Sequence, residues 1–264
     1  MSGSVEGVDR MGFEGKVVYI TGASSGIGLA LAKEFALRGA RLGILARRED
    51  RLRQLCEEIR ATGGTIEYAV ADAADRGGMN TAVASLNDRL GLCDVMIANA
   101  GIGASNTSTD LNVTAAEQVI RTNLLGPMYA FEAVFADLLA RGSGHLVAVS
   151  SVAAFKGLPT SAAYCASKAG LNAYLESIRI SLRARNIAVT AICPGFVRTE
   201  MTEKSKKMLW ACNADVAARK IARAIQRQKK VYAFPTRMGL LVKSTRWLPD
   251  WLVAKALPDD SVFG

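Results

Sequence analysis

The chain has 264 residues, half of them hydrophobic, with 24 glycines and a formal charge of +9. That is enough apolar material for one large core with many tight turns, and no Gly/Ser/Pro linker or low-complexity tract divides it, so 1–264 reads as one domain. The charge excess lies wholly beyond residue 203, where 13 Lys and Arg stand against four acids; with no recognised nucleic-acid module, this speaks against a nucleic-acid binder.

The expected elements alternate along the chain. After a loose arm over 1–14, residues 16–21 (KVVYIT) form a β-rich run, and a helix over 27–38 stops at Gly39. A second strand covers 41–46, and a helix over 49–61 carries Leu52, Leu55, Cys56 and Ile59 at intervals of three or four. A third strand (65–71), a helix (about 78–90) and a fourth strand (94–98) follow. A long helical stretch over roughly 115–140 should break or kink at Gly126-Pro127. Then come a fifth strand (145–150), a helix (161–185), a sixth strand (187–193) and a last short strand at 231–234. Apolar strands alternating with helices imply a parallel, doubly wound α/β sheet, whose ligands sit outside the carboxyl ends of the strands.

Those strand ends carry the motifs. After the first strand, Thr21-Gly22-Ala23-Ser24-Ser25-Gly26-Ile27-Gly28 places glycines at a tight turn that opens a helix. Glycine permits close backbone approach to a pyrophosphate, and the helix N-terminus offers unpaired N–H groups. This T-G-A-S-S-G-I-G sequence resembles the nucleotide motif of the short-chain dehydrogenase/reductase family, and the resemblance covers roughly residues 14–200. It implies a Rossmann-type sheet of about seven strands in the order 3-2-1-4-5-6-7, with Gly22, Ser24, Ser25, Gly26, Ile27 and Gly28 around the cofactor.

The ribose-reading position lies after the second strand. An acid there would accept bonds from a free 2′-OH; this chain has Ala46-Arg47-Arg48, with Arg47 19 residues beyond Gly28. A guanidinium can grip a phosphate bidentately, so Arg47 and Arg48 favour NADP(H) as cofactor. The resemblance adds Ser24 to that phosphate site. It also implies that Asp72 faces the adenine and that Asn99-Ala100-Gly101 matches most of an N-N-A-G motif, with Ala98 departing from its first Asn.

Tyr164 and Lys168 are four apart on an expected helix and share a face, and Ser151 ends the fifth strand 13 residues before Tyr164. Reducing a carbonyl needs a hydride on carbon and a proton on oxygen. A Tyr can supply the proton, and a nearby ammonium should draw its pKa down from about 10 toward the working pH. Ser151 suits the oxygen where negative charge grows. By resemblance, Lys168 also holds the nicotinamide ribose, and Asn123, in R-T-N-L-L-G, supports a water chain from that Lys to solvent. Likewise Pro194, Gly195, Val197 and Thr199 match a P-G motif that holds the carboxamide. A hydrolase would want a His beside the Ser, and the one histidine, His145, begins the fifth strand. One His and scattered Cys make no metal ligand set.

The remaining expectations are coarser. Residues 200–211 should form a helical lid carrying Met201, Met208, Leu209 and Trp210, either walling an apolar pocket or only packing on the domain. The basic stretch 237–257 contains Trp247 and Trp251 and reads as two short helices divided by Pro249. It could close the pocket and an oligomer interface, rest as a peripheral contact on an anionic membrane, or attract carrier- or CoA-linked acyl substrates. Residues 1–15 hold no apolar run, no stretch reaches the roughly 18 residues of a spanning helix, and five scattered cysteines read as reduced thiols, so a cytoplasmic location is expected. The resulting expectation is an NADP(H)-dependent enzyme, a homodimer or homotetramer, acting on a small carbonyl/alcohol substrate. The alternatives are a 3-oxoacyl-(ACP/CoA) reductase-like enzyme and a catalytically idle NADP-binding regulator.

Overall fold

The computed structural model describes residues 12–106, 110–203, 208, 210–244, 248–249, 251–252 and 255. The first half alternates β1 (Val17–Thr21), α1 (Gly26–Leu37), β2 (Arg41–Ala46), α2 (Glu49–Ala61), β3 (Ile66–Val70), α3 (Arg76–Leu90) and β4 (Val95–Ala98). Then come α4 (Val113–Ile120), α5 (Gly126–Arg141), β5 (Gly144–Val149), α6 (Ala162–Ser181) and β6 (Ile187–Pro194). Two-residue strands β7 (Val197–Arg198) and β8 (Cys212–Asn213) pair with each other, and α7 (Ala214–Gln226), β9 (Val231–Phe234) and α8 (Thr236–Ser244) complete the described elements.

Seven strands form one parallel sheet in the order β3-β2-β1-β4-β5-β6-β9. This is the expected Rossmann-type order; the seventh strand of the sheet is the ninth in the chain because β7 and β8 intervene. Ile20 on β1 stands between Ile44 on β2 and Ile97 on β4, which fixes the central register. Side chains alternate between the faces. Val18 and Ile20 join the core beneath α1, α2 and α7, whereas Val17 and Tyr19 join the core beneath α3, α5 and α6. The sheet is therefore buried on both sides, which is why its strands are nearly continuous apolar runs.

One expectation is refined, one element was not foreseen and one expectation is corrected. The expected break in the helical stretch over 115–140 takes the form of a π-helical turn, Arg121–Leu125, between two helices. Pro127, in the first turn of α5, has no N–H and interrupts the hydrogen-bond ladder, and the wider turn absorbs the break. No element was expected over 214–226, yet α7 packs on α1 there. Its inward face is mostly alanine with Ile221 and Ile225 and its outward face carries Arg and Lys, an amphipathic pattern that the sequence reading passed over. The described part of the expected helical lid is only a 3-10 turn, Glu200–Thr202, leading toward β8; Leu209 lies outside the described residues. Trp247 and most of residues 1–14 also lie outside them. No helix among the described residues is long and apolar enough to cross a membrane.

His145 sits at the amino end of β5, remote from the strand's carboxyl end, with Nε2 2.8 Å from Thr190 Oγ1. Burial pushes its pKa down to about 4 from an ordinary 6.5. The folded value is the lower one, so the unfolded chain takes up the proton first. This contribution to stability is complete above pH 6.5 and is lost as the pH falls toward 4. The expected loss across that window is roughly 3 kcal/mol from this group. Urea unfolding at stepped pH should show a shallower decline in His145→Gln than in the parent chain; parallel declines would refute the assignment.

Candidate active site

The site is built at the carboxyl edge of the sheet, where β1 and β4 lie side by side. Thr21 Oγ1 accepts the backbone N–H groups of Asn99 (3.0 Å) and Ala100 (3.1 Å). Asn99 Nδ2 donates back to the carbonyls of Thr21 (3.0 Å) and Gly22 (3.3 Å). Asn99 thus holds the glycine turn in place as well as lining the cleft. Gly22 has φ +68°, and a Cβ there would lie 2.7 Å from the Ala100 Cα. At Gly28 a Cβ would collide with the Gly22 carbonyl oxygen and Asn99 Nδ2. Only glycine lets the turn and the start of α1 close this tightly. Ser25, the N-cap of α1, makes no side-chain cap bond, so the first-turn N–H groups of α1 are left to another acceptor.

Arg47 and Arg48 part company. Arg47 Nη1 lies 3.7 Å from Asp72 Oδ2. Arg48 folds back over the glycine turn, its Nε and Nη2 donating to Ser24 Oγ (3.1 and 3.0 Å) and Nη2 also to Ser25 Oγ (2.6 Å). Adjacent residues on extended chain point to opposite sides, so just one of the pair can reach the serines. With their oxygens accepting from Arg48, the Ser24 hydroxyl keeps a proton to donate and that of Ser25 goes to the Glu200 carboxylate. Arg48, Ser24 and Ser25 thus form a ready anion site beside an uncapped helix start. These features fit a dinucleotide: a cradle that a Cβ would fill, an uncapped helix start and side-chain donors for an anion.

The reactive groups line the same cleft, which encloses about 370 Å³ and also touches Gly22, Arg48, Asn99, Gly101, Pro194, Gly195, Val197 and Thr199. Ser151 Oγ accepts the Ala153 N–H (3.1 Å), and its hydroxyl is hydrogen-bonded to Tyr164. Its neighbour Ser150 instead donates to the Lys168 carbonyl at 3.3 Å. Lys168 is buried, with Nζ donating to the Val149 carbonyl at 2.9 Å and lying 5.8 Å from the centre of the Tyr164 ring. Burial pushes its pKa down to about 8. Burial likewise raises the Tyr164 pKa, with the Ser151 hydrogen bond opposing. That is opposite to the direction expected from a neighbouring ammonium: desolvation of the phenolate decides the shift, and the Lys168 amine is itself desolvated and turned toward Val149.

Asn123 lies in the π-helical turn and is fully buried. Its Oδ1 accepts the Ile102 N–H (2.8 Å), and its Nδ2 donates to the Ile102 carbonyl (2.9 Å) and to Ser167 Oγ (3.3 Å). It clamps the backbone that follows β4. A Cβ on Gly101 would lie 3.2 Å from Asn123 Oδ1 and 3.6 Å from Lys168 Nζ, so Gly101 preserves the space between them. Thr202 escaped the sequence reading: its hydroxyl donates to the Val197 carbonyl at 2.7 Å and ties the 3-10 turn to β7. Ile102, Ser167 and Glu200 escaped it too, because none belongs to a spaced pattern.

Residues 16–210 match the family described as short chain dehydrogenase. An oxidoreductase of Mycobacterium tuberculosis is 38% identical over 221 residues, 83% of this chain and 87% of the relative. A 3-oxoacyl-(acyl-carrier-protein) reductase of Chlamydia pneumoniae is 34% identical over 188 residues, covering 71% of this chain and 76% of that one. Among solved structures, an alcohol dehydrogenase from the archaeon Thermococcus sibiricus, complexed with 5-hydroxy-NADP, superposes with a TM-score of 0.75 at 25% identity, over 83% of this chain and 94% of that one.

The collision at Gly28 is testable without any ligand. Gly28→Ala should lower unfolding stability by about 1–3 kcal/mol, because backbone and a bonded amide must give way. Gly157→Ala, where a Cβ meets nothing within 4 Å, should be nearly silent. Equal denaturation midpoints for the two variants would contradict the packing described.

Proposed function

Because the chain belongs to the short-chain dehydrogenase/reductase family of oxidoreductases, we propose that it is a single-domain, NADP(H)-dependent reductase that interconverts a carbonyl and a secondary alcohol. The observation that carries this reading is one cleft lined by Ser151, Tyr164 and Lys168 at one end and by the glycine turn and Arg48 at the other. When bound, the nicotinamide supplies or accepts the hydride.

The chain's own groups handle the oxygen. Ser151 and Tyr164, already hydrogen-bonded together, present two hydroxyls to one substrate oxygen. The raised pKa of Tyr164 keeps the phenol protonated at neutral pH, the state a general acid for reduction needs. As alkoxide character grows, the phenol gives up its proton and Ser151 holds the oxygen in place. Lys168, anchored on the Val149 carbonyl, titrates near pH 8 and can restore that proton. Asn123 and Gly101 keep open the space beside Lys168 Nζ.

The anion site at Arg48, Ser24 and Ser25 supports NADP(H) as the cofactor. The Chlamydia relative favours a 3-oxoacyl thioester as a second substrate reading. Five free thiols suit a cytoplasmic enzyme. The exposed small-residue face of α6, with Ala162, Ala166, Ala169 and Ala173, supports a homodimer or homotetramer; light scattering should give a mass of at least two chains, and the mass of one would exclude it.

In Tyr164→Phe, NADPH-dependent reduction of a diketone or quinone panel should fall at least about 100-fold. NADPH binding followed by fluorescence should change less than about twofold, because the phenol contacts the reacting oxygen. Binding without turnover in the parent chain would instead identify the idle regulator.

A further inference from the structure

The cluster that would read a 2′-phosphate already holds an anion, and that anion belongs to the chain. Glu200 opens the 3-10 turn after β7, at the rim of the cleft. Its Oε2 accepts from Arg48 Nη1 at 3.0 Å, and its Oε1 lies 3.5 Å from Arg51 Nη1. The Ser25 side chain hydrogen-bonds it as well. Arg48 above all holds the Glu200 carboxyl below its usual range, against a small opposing effect of burial.

A carboxylate and a phosphate monoester use the same donors, the guanidinium N–H groups and the serine hydroxyls. Two anions cannot share them without repulsion. A free 2′-hydroxyl has no such conflict, since it can donate to the carboxylate. We propose that Glu200 is an internal occupant of the 2′-phosphate site and a specificity-determining residue. A phosphorylated ribose must displace it, whereas an unphosphorylated ribose is accepted by it. Displacement also releases one end of the turn that carries Thr199 and Met201, both of which line the cleft. Recognition at the ribose is thereby tied to the segment over the substrate end. This rests on the NADP(H) reading given above.

The latch is weak by construction. The side chains of Arg48 and Glu200 are 43% and 52% exposed, so water screens the pair, and its removal should shift affinity by a small factor. The test is calorimetric titration of the full chain with 2′,5′-ADP, 5′-ADP, NADPH and NADH. Glu200→Gln should bind 2′,5′-ADP and NADPH about two- to fivefold more tightly, with 5′-ADP and NADH alike unchanged or weaker. Glu203→Gln removes the same charge three residues on and should leave the NADPH-to-NADH ratio as it was. The proposal is overturned if Glu200→Gln leaves that ratio unchanged or lowers it, or if Glu203→Gln raises it equally. A separate result would fell the cofactor reading itself: a parent chain that binds 2′,5′-ADP no more tightly than 5′-ADP, and is indifferent to Arg48→Ala.

Discussion

The joint between the ends of β1 and β4 sets the geometry of the site. Thr21 Oγ1 takes two N–H groups from the β4 end, and Asn99 returns two bonds to the β1 end. The chain leaves β1 through α1 over one face of the sheet and leaves β4 toward α5 over the other. Neighbouring strands whose connections part in this way leave a crevice at their carboxyl ends. The four hydrogen bonds keep its floor closed while its rim stays open. On one side they hold the glycine turn and the start of α1. On the other they hold the segment through Gly101 and Ile102, which Asn123 clamps to the π-helical turn. Asn123 also receives support from Ser167, one residue before Lys168, so the reactive helix is tied back to the same joint.

Burial explains why the two central groups depart from their free-solution behaviour in opposite senses. Neutral forms are favoured in a dry pocket, so the phenol resists losing its proton and the lysine parts with its own more easily. On the function proposed above, such a pair would deliver a proton to substrate and have it replaced from behind. The lone polar tether on Lys168 Nζ among the bonds described is a backbone carbonyl, an acceptor that stabilises the charged amine without neutralising it as a carboxylate would. The attraction between ammonium and phenolate gains in importance once the proton has moved. It is a feature of the reacting state more than of the resting one.

Much of this was legible in the sequence. The strand runs, the glycine spacing and the four-residue interval from Tyr164 to Lys168 are local patterns, and local patterns survive into the fold because backbone period and burial dictate them. What was illegible is pairing between distant segments. Arg47 sits at the expected interval from Gly28, but the choice of Arg48 depends on which side of the chain faces Ser24. Glu200 meets Arg48 across 152 residues, and no periodicity marks that meeting. Helix α7 was passed over although its pattern is amphipathic: the face that packs on α1 is written in alanines with Ile221 and Ile225, set among Arg and Lys that read first as a charged tail. The π-helical turn was half-visible: Pro127 announced a break, but the way the backbone repaired it depends on the packing of Asn123.

The basic C-terminal stretch admitted three readings, and its described contacts are with the domain itself. Gly195 lacks a side chain where Met238 on α8 packs, since a Cβ there would collide with Met238 Sδ. Lys243 Nζ lies 4.8 Å from the centre of the Phe155 ring, four residues beyond Ser151. Lys156 Nζ donates to the Leu248 carbonyl at 3.4 Å. Two of these contacts brace the loop that positions Ser151, and the third braces the turn that leads into β7. One cation of the segment, Lys243, takes part, its head over an aromatic face. Lys243 of α8 therefore has a structural use against the loop that follows Ser151, while none of the described residues of 237–257 lines the cleft itself.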